Sequence, residues 1–111
     1  MVTAETAVVL PVLLVVLAAA VWVLACVASQ LRCVDAARIG ARAAARGDTP
    51  AAVSTATSAV APAGARIDVQ RSGDSVTVTV AAVVRPFGSA LRRLPGTPVA
   101  AHATAIVEGR R

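Results

Sequence analysis

Side chains able to carry chemistry are few in this chain, and their spacing does not gather them. There is one His, no Tyr and six acids, five of which (Asp35, Asp48, Asp68, Asp74 and Glu108) are scattered with no pair spaced for general acid and base work. His102 lies in an alternating stretch of Ala and Thr with no partner at metal-ligand or triad spacing, which reads as a surface or edge-strand residue. No glycine-rich phosphate loop occurs. These residues point to no enzymatic activity, no metal, no cofactor and no small-molecule substrate.

The groups left to explain are Glu5 and two cysteines. Glu5 stands immediately before a run from Thr6 to Gln30 that contains no charged residue. An ionised carboxylate at the edge of a hydrocarbon layer is costly unless paired or neutralised, and the nearest positive group is an α-amine. In an array of subunits the free amine of one chain can meet Glu5 of its neighbour. In a lone chain Glu5 would be interfacial and would favour the positive end of the helix macrodipole. Cys26 and Cys33 lie on one helical face about 10 Å apart along the axis, too far for a disulfide within one helix. They read as small apolar residues in a helix contact, with a bond between subunits through Cys33 as the other reading. Val23-Leu24-Ala25-Cys26 also has the form of a lipobox, which would make Cys26 a lipidated amino terminus. The flank from Met1 to Glu5 lacks the basic residues such a signal carries.

The elements that must position these residues are set by periodicity. The run from Thr6 to Gln30 would extend roughly 37 Å as a helix, more than the ~30 Å hydrocarbon core of a bilayer. It is too long and too poor in flanking charge for a removable signal, so it reads as a retained transmembrane anchor, spanning 1–30 with its amino-terminal flank. Pro11 is tolerated near the helix start, with a mild bend expected there. The helical pattern continues through 31–47. Arg32, Asp35, Arg38, Arg42 and Arg46 share one face, and Cys33, Ala37, Gly40, Ala41 and Ala44 lie opposite. That small-residue face can pack either on a neighbouring helix or on the chain's own domain. Gly47 ends the helix, and Asp48-Thr49-Pro50 caps a second short helix from about Pro50 to Val60.

From Arg66 the period changes to two. Ile67, Val69, Val76, Val78 and Val80 would share the buried face of a β-hairpin turned at Arg71-Ser72-Gly73-Asp74, with Thr77 and Thr79 facing away. The stretch from Pro86 to Pro98 reads as a connector with two exposed arginines, Arg92 and Arg93, and room for a helical turn over Ser89 to Leu94. A third strand is expected from Val99 to Val107, with Ala101, Ala103, Ala105 and Val107 on one side. The expected fold is α+β: a long helix, a short second helix and a small antiparallel sheet of about three strands, with 48–111 as the small domain.

Charge excludes one class. The net charge is +5, but the arginines are scattered or flank the anchor and there is no interleaved set of stacking aromatics, so nucleic acid is not an expected partner. All eleven basic residues are Arg and Ala is abundant, a codon signature that suggests a high-GC bacterial genome. The four arginines after the anchor would, by the positive-inside tendency, favour a cytoplasmic carboxyl side.

Val2-Thr3-Ala4-Glu5-Thr6-Ala7-Val8-Val9-Leu10-Pro11 resembles the amino terminus of TadE-like minor pilins. The segments Cys33-Val34-Asp35-Ala36-Ala37-Arg38 and Ala41-Arg42-Ala43-Ala44-Ala45-Arg46-Gly47 resemble the stretch just after the anchor in actinobacterial members. The resemblance covers roughly the first 47 residues well and the sheet only loosely. It implies a structural subunit of a Tad/Flp-type (type IV) pilus, with Glu5 as the assembly contact and Met1 at the position of the mature first residue. It also implies a bacterial cell-membrane location, a carboxyl domain outside, cell adhesion as the wider role, and other pilin subunits, assembly machinery and a prepilin peptidase as partners. Pilin precursors carry a short basic leader ending in Gly, which this sequence lacks before Met1. Two other readings remain: a bitopic protein bound to a larger membrane partner, and a lipoprotein lipidated at Cys26.

Overall fold

The computed structural model describes residues 2–85 and 95–107. The chain is α+β, as its periodicities require, with the order α1 (Val2–Ala45), α2 (Pro50–Val60), β1 (Arg66–Ser72), β2 (Ser75–Val84) and β3 (Thr97–Ile106). The strands form one antiparallel sheet in the order β1-β2-β3. The molecule is elongated, 79 × 22 × 19 Å, because α1 runs on well past the domain it supports. The expected connector residues 86–94, including the turn over Ser89 to Leu94 and the arginines Arg92 and Arg93, lie outside the described residues, as do Met1 and Glu108.

The helix boundaries arise from local chemistry. α1 is continuous through Pro11 and stops at Ala45, two residues before Gly47. Gly47 takes φ +88°, and the amides of Gly47 and Asp48 donate to the carbonyls of Ala44 and Ala43, each at 3.1 Å. This paired closure satisfies carbonyls that the helix end would otherwise leave open. Thr49 caps α2 by accepting from the Ala52 amide at 3.2 Å, and Pro50 occupies the first turn, where its missing donor costs nothing.

The core lies between one face of α1 and the inner face of the sheet. Cys33, Ala36, Ala37, Ala41, Ala43 and Ala44 of α1 are buried with Val76, Val78, Val80 and Ala82 of β2 and Val99 of β3. α2 adds Val53 and Thr57. Because the helix side is built almost wholly from Ala, Cys and Gly, the backbones approach closely, and four fully buried valines supply the larger part of the transfer energy at about 1.5–3 kcal/mol each.

Two details depart from expectation. β3 begins at Thr97 and takes in Pro98, which pairs with Val83, because β3 is an edge strand and can give up one donor. Val69 lies on the inner face, opposite Val78, yet stays 37% exposed. α1 covers β2 and β3 and not β1, and α2 barely reaches it.

Candidate functional site

The feature with functional content is the surface of α1, which changes character along its length. From Thr3 to Val21 every residue is exposed, and apart from Glu5 none is charged. Leaving so much Val and Leu in water is unfavourable, and among the described residues nothing in the chain covers it. α1 is the one described helix long and apolar enough to cross a membrane. Glu5 is exposed in its first turn, where a negative charge suits the positive end of the helix.

At Trp22 a covered stripe begins. Trp22, Ala25, Cys26, Ser29 and Gln30 are half-buried, and Cys33, Ala36, Ala37, Gly40, Ala41 and Ala44 are buried, at spacings of three and four that keep them on one helical face. Gln30 donates from Nε2 to the carbonyl of Ala100 at 2.8 Å, joining the helix to β3. Gly40 is where α1 comes close to both α2 and β2. A Cβ there would lie 2.5 Å from Thr57 Oγ1 and 3.0 Å from Val78 Cγ1.

The structure brings Cys33, Ala37, Gly40, Ala41 and Ala44 together inside the chain's own core. A bond between subunits through Cys33 is closed off, since Cys33 is fully buried. Both cysteines are free thiols, and burial pushes the Cys33 thiol above its ordinary range. Cys26 lies lower on the same stripe. Glu5 is remote from all of them.

On the opposite face Arg32, Asp35, Arg38, Arg42 and Arg46 are exposed, as their spacing requires. Arg46 forms an exposed ion pair with Asp48 at 3.2 Å. His102 is exposed on the outer face of β3 beside Thr79, and Thr77 and Thr104 join their hydroxyls at 2.9 Å nearby. No group of acids, His and Cys able to hold a metal ion occurs among the described residues. A hollow of about 910 Å³, open to solvent, lies at the sheet end and is lined by Arg66, Arg85 and Pro98 among others.

Sequence reasoning missed Trp22, Gln30 and Thr57. Extending the stripe of Cys33 and Cys26 backwards by one turn reaches Trp22, so that signal was present. Gln30 and Thr57 depend on contacts with distant strands and left no local trace. No family model, curated protein or solved structure matches the chain.

Proposed function

We propose that the chain is a minor pilin of the TadE-like kind, a structural subunit of a Tad/Flp-type pilus held in a bacterial cell membrane by a single pass. The carboxyl domain lies outside, and assembly proceeds through the amino-terminal helix. The observation that carries this reading is the form of α1: an uncovered apolar helix from Thr3 to Val21, with Glu5 as its one charge, continuing as the spine of a small α+β domain. The resemblance of Val2 to Pro11 to the pilin amino terminus is what gives Glu5 its role in this reading. Its carboxylate pairs with the amine of an adjacent subunit, turning a desolvation cost into a register-specific attraction.

The assignment predicts a separation of insertion from assembly. Glu5→Ala inserts into the membrane at normal yield but is lost from sheared fibres, measured by quantitative blotting of membrane and fibre fractions. Normal incorporation of Glu5→Ala removes Glu5 from the mechanism and favours a bitopic protein that stays with a membrane partner.

A further inference from the structure

We propose that the hydrocarbon boundary lies at Trp22, and that the lower outer face of the sheet, with Arg66 and Arg85, is a binding surface for anionic phospholipid headgroups. The inference rests on the membrane reading above. It differs from the sequence pattern alone, which would carry the buried span on to Gln30.

Helix and sheet can be aligned level by level. Gln30 bonds to Ala100 at one level, while Arg42 and Ala45 share a hollow with Thr104 and Ile106 at a higher one. Gln30 to Ala45 is about 22 Å of helix and Ala100 to Ile106 about 20 Å of strand, so α1 and β3 run side by side in the same direction. Ala100 pairs with Ala81, and Ala81 with Arg66, which puts Arg66 at the level of Gln30. β2 then continues from Ala81 towards the membrane and ends at Val84, and Arg85 follows it roughly 13 Å below Ala81. The same descent along α1 covers about nine residues and ends at Val21, beside Trp22. Coverage of α1 begins there, independently of these lengths. A folded sheet with polar edges does not enter hydrocarbon, so the boundary cannot lie above its lower end.

The lengths agree. Thr3 to Val21 spans about 28 Å, close to the hydrocarbon thickness, whereas a span ending at Gln30 overshoots it. Trp22 then sits at the interface, where indole is favoured.

Arg66 lies on the outer face and Arg85 just past the end of β2, and both line the 910 Å³ hollow with Ala81, Val83, Pro98 and Ala100. Both are exposed, and neither is in an ion pair among the described residues. The nearest acid along β1, Asp68, accepts instead from Gln70 Nε2 at 3.3 Å. Val83 is 53% exposed between them. Two guanidinium groups beside an exposed apolar floor at the membrane surface match a phosphate head joined to acyl chains.

Trp22 is the chain's sole tryptophan, so its native fluorescence reports depth. The full chain is reconstituted in vesicles of equimolar phosphatidylcholine and phosphatidylglycerol carrying a nitroxide near the glycerol or at mid-chain. The shallow nitroxide is expected to quench about twofold better. Stronger quenching at mid-chain overturns the boundary. In native mass spectrometry after mild extraction, Arg66→Gln/Arg85→Gln is expected to lose its preference for retained phosphatidylglycerol, by about fivefold per arginine. Arg38→Gln/Arg42→Gln, an equal charge change on the far ridge, is expected to keep it. Equal loss in both pairs, or in neither, overturns the headgroup site. Displacement of the lipid by millimolar inorganic phosphate overturns it in favour of a free-anion site. Release of the wild-type chain from vesicles by alkaline carbonate is a separate result, and it overturns the membrane reading itself.

Discussion

Gly40 leaves the room that α2 and β2 need to pack against α1. The Thr57 hydroxyl facing it cannot swing away freely, because it donates to the Val53 carbonyl at 2.7 Å in a fully buried position. Gly40→Ala gains about 1 kcal/mol of helix propensity. Overpacking costs about 1–3 kcal/mol, and displacing the buried hydroxyl adds to it. The clash wins, and the variant is expected to lose about 1–3 kcal/mol in denaturant titrations in detergent. In a Thr57→Ala background the cost should shrink, since the 2.5 Å contact is gone and only the 3.0 Å contact with Val78 remains. Equal cost in both backgrounds would place the strain elsewhere. Cys33 gives a pH signature. Its thiol is pushed up by burial in the folded chain, so below the unfolded value of 9.0 both states are protonated and stability does not depend on it. Above that value the unfolded thiol ionises first, and stability falls until the folded thiol ionises too. Wild type should lose stability relative to Cys33→Ala as the pH is raised from about 8 to about 10. An unchanged difference would mean that the thiol is solvated.

At the scale of elements, the sequence made legible whatever is encoded locally. Gly47 and then Asp48-Thr49-Pro50 mark one helix end and the next helix start, and α2 falls on Pro50–Val60 as expected. The hairpin was legible from alternating valines and from Gly73, which takes φ +57° in a connection of two residues between Ser72 and Ser75. Which surface covers which could not be read. The small-residue face of α1 suits a foreign helix or a native sheet equally well, because Ala and Gly permit close approach without choosing the partner. The choice is made by Val76, Val78 and Val80, far along the chain. For the same reason the sequence placed Val69 with the buried valines, although β1 lies beyond the reach of α1 and is largely exposed. That Arg66 and Arg85 line one hollow was illegible, because they come to the same end of the sheet only through the β1–β2 register.

At the scale of the whole molecule, α1 has two parts with opposite needs, and truncation should separate them. Its upper half is not an appendage of the domain but one wall of its core: Cys33, Ala36, Ala37, Ala41, Ala43 and Ala44 face the valines of β2 directly. A chain cut just after the helix, leaving 48–111, exposes those valines and has too little apolar area to fold alone. The segment from Thr3 to Val21 touches no part of the domain and contributes nothing to that core. A chain beginning at Val21 should therefore keep the sheet and dissolve without detergent. One beginning at Leu31 loses the half-buried turns from Trp22 to Ser29 and the bond from Gln30 to Ala100, and it should keep the fold with lower stability, by about 1–3 kcal/mol for the bond and the lost packing together. Circular dichroism and amide exchange in β2 and β3 rank the three chains. If the chain from Leu31 proves as stable as the chain from Val21, the turns between Trp22 and Gln30 are not part of the domain. The border between anchor and domain would then return to Gln30, where the charge pattern alone would put it.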